Sequence, residues 1–216
     1  MLVQTLLFNY LFITKNYLNM KKLLGFSAAI LILLASCSKE VVTTDGQDNY
    51  LKSTNYYQCW KAGGGVSCTN GSGGNYQVKF QNCSDFVAGK GYSSGAHTMS
   101  WSGSCSGCNY FGVYGWCTSP LTEYYIGRSG GTSVGSYSTS KGNYTLNTIQ
   151  CNGANIQGNG PFHQYNCSGS GSSGINTQEH FNGWSKLGHA ASSPNYTIVS
   201  SEAWGGKTGS ANVTVN

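Results

Sequence analysis

Tyr196-Thr197-Ile198-Val199-Ser200-Ser201-Glu202-Ala203-Trp204 is the run from which the fold can be read. In an extended chain Tyr196, Ile198, Ser200, Glu202 and Trp204 point to one side, and Thr197, Val199, Ser201 and Ala203 to the other. Both sides are partly apolar, so this strand is expected to be covered twice. Shorter runs alternate in the same way, Tyr76, Val78 and Phe80 with polar partners and likewise Tyr144, Leu146 and Thr148. They lie between clusters of Gly, Ser and Asn that mark turns. The expectation is an all-β domain of two packed, strongly twisted antiparallel sheets, a sandwich or jelly roll.

One segment departs from that period. Asn176 can cap a helix with Glu179 three positions later, Phe181, Trp184 and Leu187 follow at a spacing of three, and Gly188 stands where a helix commonly ends. A single short helix is therefore expected.

Composition agrees with this reading. Of 216 residues 31 are Gly and only 3 Pro, 13% are aromatic and only 9% charged. A disordered chain would lack so many aromatics, and a helical bundle would need more Ala, Leu, Glu and Lys. The period of a collagen-like chain is absent, so the glycines serve turns, bulges and close backbone contacts.

The formal charge of +5 suggests a basic protein until its position is read. Lys15, Lys21 and Lys22 lie in the first 36 residues, which hold no acid; the other lysines are scattered, and Arg128 is the only Arg. No basic stripe exists, which argues against a nucleic-acid partner. Met20-Lys21-Lys22 and the apolar run through Leu34 have the form of a secretory signal in residues 1–36, with a true start possible at Met20. Residues 38–55 are polar and read as a tether. From Tyr56 onward no second break in composition occurs, so 56–216 is taken as one domain.

Nine cysteines is an odd number for an exported chain. Cys37 directly follows the signal, leaving Cys59, Cys68, Cys83, Cys105, Cys108, Cys117, Cys151 and Cys167 for disulfides in an oxidising compartment. Eight cysteines allow 105 pairings. Zinc is the competing use, but only Cys105 and Cys108 have C-x-x-C spacing and no second pair or His-x-x-x-His follows. No metal site is expected.

Carboxylates are scarce in the domain: Asp85, Glu123, Glu179 and Glu202. Glu179 has a sufficient role at the helix N-terminus. Glu123 and Glu202 each sit inside an aromatic strand, where an unpaired buried charge is costly. Two acids on a sheet face lined by Tyr and Trp are what glycosidic bond cleavage requires, one to protonate the leaving oxygen and one to attack or to activate water. Two separately hydrogen-bonded structural glutamates are the plain alternative.

At these residues the sequence resembles family 11 of the glycoside hydrolases, the compact retaining endo-1,4-β-xylanases with a β-jelly-roll fold. Pro120-Leu121-Thr122-Glu123-Tyr124-Tyr125 resembles the family's nucleophile motif. Val199-Ser200-Ser201-Glu202-Ala203-Trp204 with Gly209-Ser210-Ala211 resembles its acid/base motif. Tyr114-Gly115-Trp116, Phe86 to Gly91, Gln164-Tyr165 and His180 to Trp184 lie in family order, and the likeness runs from Tyr56 to Val215.

The resemblance implies Glu123 as nucleophile and Glu202 as general acid, then base. It implies Tyr56, Trp60, Tyr114, Tyr125, Gln164 and Tyr196 as substrate-binding residues, with Trp60 stacking on a distal sugar. Alternation places Tyr125 on Glu123's face, Tyr196 on Glu202's, Tyr114 on Trp116's and Tyr56 on Trp60's. Asp85 falls where the family has Asn or Asp beside the general acid; an Asp there is expected to share a proton with Glu202 and to move the optimum to acid pH. His180 is read as a structural histidine and Arg128 as an ordinary strand-end cation.

The family's thumb hairpin has a Pro-Ser-Ile tip, here Ala154-Asn155-Ile156, and a supporting Arg is replaced by Gln150 or Cys151. Loss of the Pro is expected to loosen the tip. Cys151 and Cys167 flank this hairpin and are candidates to staple it, as Cys59 and Cys68 are for the Gly63-Gly64-Gly65 turn; Cys105 with Cys108 and Cys83 with Cys117 is one possibility for the rest. Leu34-Ala35-Ser36-Cys37 resembles the lipobox of bacterial lipoproteins, implying lipidation of Cys37. Ser38 then points to the outer membrane or cell surface, with a secreted protein as the alternative.

The implied partners are xylan and xylo-oligosaccharides, no nucleic acid, and a membrane only through the lipid anchor. A monomer needing neither metal nor organic cofactor is expected. A non-catalytic xylan-binding lipoprotein and a related jelly-roll β-1,4-glucanase are the competing functions.

Overall fold

The computed structural model describes residues 56–216, so the signal region, Cys37 and the tether lie outside the described residues. The chain forms β1 (Tyr56–Lys61), β2 (Val66–Asn70), β3 (Asn75–Tyr92), β4 (Thr98–Met99), β5 (Trp101–Ser106) and β6 (Tyr110–Ser119). It continues with β7 (Leu121–Ile126), β8 (Thr132–Thr139), β9 (Gly142–Asn155), β10 (Gly158–Ser168), β11 (Ile175–Asn176), the helix α1 (Thr177–Lys186) and β12 (Ser192–Val215).

The two longest strands, β3 and β12, pair antiparallel along most of their length and join the layers of the fold. Their register slips between Trp204 and Gly209, where Gly205 and Gly206 have φ of 69° and 79° and Asn82 opposite has 47°. A side chain at Gly205 or Gly206 would strain that left-handed backbone. On one side of the slip, Asn75 to Phe80 and Gly209 to Thr214 pair with each other and are flanked by β2 and β5. On the other, Asp85 to Tyr92 and Thr197 to Trp204 are flanked by β1 and by β6, β7, β10, β9 and β8 in that order. The jelly roll is thus built from one continuous ten-stranded sheet, with β4 and β11 as a small separate pair.

The larger core cluster lies between the layers. Tyr76, Val78 and Phe80 from β3 and Ala211 and Val213 from β12 meet Val113, Tyr124, Ile126, Leu146, Tyr165, Val199 and Ala203. A smaller cluster of Val87, Tyr110, Tyr114, Trp116, Tyr125, Phe162, Tyr196 and Ile198 covers the other face of the second layer. β12 from Tyr196 to Ala203 is buried throughout, as expected for a strand covered on both sides.

Helix α1 forms where its spacing predicts, with the Asn176 side chain accepting from the Gln178 N–H and Gly188 at φ 77° beyond the end. Glu179 does not close a capping box; its Oε2 accepts from the backbone N–H and hydroxyl of Ser140, tying the β8–β9 turn to the helix. Trp184 is fully buried and its indole N–H donates to Tyr137 Oη. That hydroxyl lies 2.7 Å from His180 Nδ1. Burial pushes the imidazole down to about 4, so His180 is neutral and takes a structural part in this buried group.

The cysteine expectations divide. Cys59 is bonded to Cys68 and Cys105 to Cys108. The Cys151–Cys167 staple is not formed, because Cys151 lies opposite Phe162 and Cys167 opposite Leu146 in the hairpin register. The two are therefore five positions apart along the ladder and on opposite faces, Cys167 in the larger core and Cys151 against the smaller cluster. Cys83 and Cys117 are also unpaired. They pair with β12 at Lys207 and Pro194 respectively, well apart along that strand.

Candidate active site

Alternation brings the site together on the face of the second layer that carries the smaller cluster. In β7 it places Glu123 and Tyr125 on one side. The register then sets Trp116 of β6 and Gln164 of β10 beside Glu123, and Tyr114 beside Tyr125. β12 contributes Tyr196 and Glu202, and Glu202 is flanked by Val87 of β3 and Tyr110 of β6. Apart from Tyr110, these side chains line a cleft of about 410 Å³ that also contains Gln58, Trp60, Asp85, Arg128, Trp204 and the tip residues Ala154, Asn155 and Ile156.

Glu123 is buried and fully partnered. Tyr114 Oη donates to its Oε1 at 2.8 Å, Tyr125 Oη approaches the same oxygen at 3.1 Å, and Gln164 Nε2 donates to Oε2 at 2.7 Å. Each partner is itself held: the Trp116 indole N–H donates to Tyr114 Oη, and Asn166 Nδ2 reaches Gln164 Oε1. Burial drives the phenols of Tyr114 and Tyr125 well above the usual tyrosine range, so both stay protonated and able to donate.

Tyr125 Oη also lies 3.2 Å from Glu202 Oε1. The separation of the two bonded carboxylate oxygens therefore cannot exceed the sum of 3.1 and 3.2 Å. That limit accommodates the roughly 5–5.5 Å at which one carboxyl attacks carbon directly.

Glu202 is less completely satisfied. Its Oε2 is buried without a hydrogen-bond partner, as is Asp85 Oδ1. Burial pushes Glu202 up to about 8; the Arg128 guanidinium opposes this, while Glu123 and Asp85 add to it. Burial also raises Asp85, against a backbone hydrogen bond from Phe86 and the charge of Arg128. At neutral pH Glu202 can hold a proton that Tyr125 and Arg128 are placed to help it lose.

Arg128, read from the sequence as an ordinary strand-end cation, lines the cleft. Strict alternation would send it to the same side as Ile126, into the core. Gly127, at φ 94°, breaks the alternation, and the guanidinium lies over the Tyr125 ring at 4.1 Å and the Trp204 ring at 5.3 Å. Its Nη1 is 4.0 Å from Glu202 Oε2. The only signal in the sequence is a Gly-Arg pair directly after an aromatic strand.

Of the substrate-binding residues expected from sequence, Trp60, Tyr114, Tyr125, Gln164 and Tyr196 line the cleft, and Trp60 remains 41% exposed, offering a ring face. Tyr56 does not line it; its ring stacks on Tyr196 at 4.9 Å. At the hairpin tip Asn155 Nδ2 donates to the Gly153 and Gly160 carbonyls and Oδ1 accepts from the Gln157 N–H. The tip that lacks a Pro is thus cross-tied by an amide. Among the described residues no group of three or more His, Cys, Asp or Glu is placed to hold a metal ion.

Residues 52–214 match the family described as Glycosyl hydrolases family 11. The chain is 40% identical to endo-1,4-beta-xylanase 2 of Rhizopus oryzae over 179 residues, covering 74% of this chain and 82% of that protein. It is 34% identical to endo-1,4-beta-xylanase B of Talaromyces purpureogenus over 216 residues, covering 91% of this chain and 100% of the relative. Among solved structures, an endo-1,4-β-xylanase from Trichoderma reesei superposes with a TM-score of 0.67 at 35% identity, covering 76% of this chain and 99% of that one.

The buried Glu202 has a consequence for stability. Its pKa rises from an ordinary 4.5 to about 8 on folding, so the folded state binds this proton more tightly than the unfolded chain. Its contribution is complete below the unfolded value and is lost as pH climbs through 4.5 toward 8. Glu202→Gln is therefore expected to melt above the unaltered protein at pH 8 to 9, with the gap narrowing below about pH 4.5. Thermal unfolding across that range is the check, and a gap that does not vary with pH would contradict it.

Proposed function

The chain belongs to family 11 of the glycosyl hydrolases, and we infer from this membership that it is an endo-1,4-β-xylanase acting with retention of anomeric configuration. The observation that supports it most directly is the pair Glu123 and Glu202, joined through one tyrosine hydroxyl in an aromatic cleft. A fully hydrogen-bonded carboxylate suits a nucleophile, and a buried carboxyl that holds its proton at neutral pH suits a general acid.

Glu202 gives its proton to the glycosidic oxygen as Glu123 attacks the anomeric carbon, releasing one sugar chain and leaving a glycosyl ester on Glu123. Glu202, now a carboxylate, takes a proton from water; that water attacks the same carbon and frees Glu123. Tyr114, Tyr125 and Gln164 hold Glu123 in line, and Tyr125 donates to either carboxylate as its charge changes. Trp60 offers a flat apolar face to a distal sugar, and Ala154, Asn155 and Ile156 close over the chain from the hairpin side.

Asp85 and Glu202 are read as a coupled pair. Each has one buried oxygen without a donor, and one proton held between them would satisfy both. Strong coupling lowers the first macroscopic pKa of such a pair and raises the second. If catalysis needs both carboxyls protonated, the lower value sets the alkaline limb and the optimum is acidic.

The N-terminal segment is assigned on sequence grounds to a lipoprotein signal, with Cys37 lipidated and the domain tethered at the outer membrane or cell surface. Incorporation of labelled palmitate that is lost in Cys37→Ala supports the anchor, and undiminished labelling or none in the unaltered protein sinks it.

Reducing-sugar release from xylan, and not from carboxymethylcellulose, is expected of the soluble domain, with Glu123→Ala and Glu202→Ala each losing on the order of a thousandfold or more in kcat/KM. Binding of xylan without cleavage favours a lectin-like protein, and cleavage of carboxymethylcellulose a glucanase. NMR of the first-formed anomer reports retention. Replacing Asp85 by Asn leaves a single proton to be lost, at Glu202's own value, so the optimum is expected to move to higher pH; an unmoved pH profile refutes the coupled pair.

A further inference from the structure

Arg128 is the least expected group in the cleft. Its side chain is 25% exposed and stands 4.0 Å from Glu202 Oε2, yet Nη1 is buried with no hydrogen-bond partner. The stem and guanidinium are held between Tyr125 and Trp204, and Gly127 directs them there. A cation held by two aromatic faces keeps its position while leaving its N–H groups free.

The titratable and charged groups that act on Glu202 come from every strand packed around it: Asp85 from β3, Tyr110 from β6, Glu123 and Tyr125 from β7, and Tyr196 on its own strand. Arg128 is the one cation among them. Two neighbouring carboxylates hinder the loss of a proton from Glu202; the Tyr125 hydroxyl bonds Oε1, and this guanidinium is the one cation placed beside Oε2 to compensate for the negative charge that appears when the proton leaves.

We propose that Arg128 is a positioning residue for Glu202, its charge setting the upper pH limit at which the cleft works. This rests on the assignment of Glu202 as the acid and then the base. Before bond cleavage Glu202 must carry a proton, and after it the carboxylate must persist long enough to accept one from water. A guanidinium 4.0 Å away favours the second state over the first.

The test compares Arg128→Met, which keeps an apolar stem against Tyr125 and Trp204, with Arg128→Lys, which keeps a charge. Removing the cation favours the protonated acid. The alkaline limb of kcat/KM on xylan is therefore expected to move up by about one pH unit in Arg128→Met, and to stay closer to that of the unaltered enzyme in Arg128→Lys. The same shift is expected in a ¹³C NMR titration of the Glu202 side-chain carboxyl, which needs no turnover. A midpoint that stays in place or moves down in Arg128→Met, or shifts equally in both variants, overturns the proposal. Absence of xylan cleavage by the unaltered protein would instead overturn the assignment of Glu202, and the two failures are thereby distinguishable.

Discussion

The hydroxyl of Tyr125 stands 3.1 Å from Glu123 Oε1 and 3.2 Å from Glu202 Oε1, and holding it there requires much of what surrounds it. Glu123 and Tyr125 are two residues apart on β7, so their spacing is set by one strand. Glu202 arrives from β12, beyond the intervening β6, so its distance depends on register across three strands. The Tyr110 ring meets Tyr125 edge-on at 5.0 Å, and Tyr114 meets it at 4.9 Å from the side. Such aromatic pairs contribute roughly 0.5–1.5 kcal/mol each beyond the area they bury, and here they also fix where the hydroxyl points.

Burying carboxyl groups on an apolar face is costly unless each oxygen finds a donor. Glu123 meets that condition through Tyr114, Tyr125 and Gln164. Glu202 meets it only in part, with Oε2 left open toward Arg128. The incomplete solvation of one acid beside the complete solvation of the other separates their chemical roles without any difference in residue type. The stability to sustain it comes from the opposite face of the same sheet, where Tyr76, Tyr124, Leu146 and Trp184 are packed out of contact with water.

Much of this was legible from the residues alone, because a strand's period of two is a strong constraint. The faces of β12 follow from Tyr196 to Trp204, the helix ends from Asn176 and Gly188, and Glu123 and Glu202 from the scarcity of charge and the motifs around them. What misled was distance measured along the chain. Cys151 and Cys167 flank a hairpin in sequence, yet the ladder holds them five positions out of register and on opposite faces. Glu179 satisfies the spacing of a capping box, yet Ser140 from a neighbouring turn claims its carboxylate. Asn155 ties the tip that lacks a Pro by three hydrogen bonds that the sequence did not announce.

By itself the sequence determined which side chains share a face, since alternation is a local property of extended backbone. It likewise indicated the helix and several of the strands, from turn residues, caps and apolar periods. Only the tertiary structure decided which faces meet and where the period fails. Register across β12, β6 and β7 puts two acids within reach of one hydroxyl, and a single left-handed residue, Gly127, turns Arg128 out of the core and into the cleft. The physical reason is that cross-strand register and backbone handedness are settled by packing summed over the whole sheet, and no short stretch of chain contains that sum.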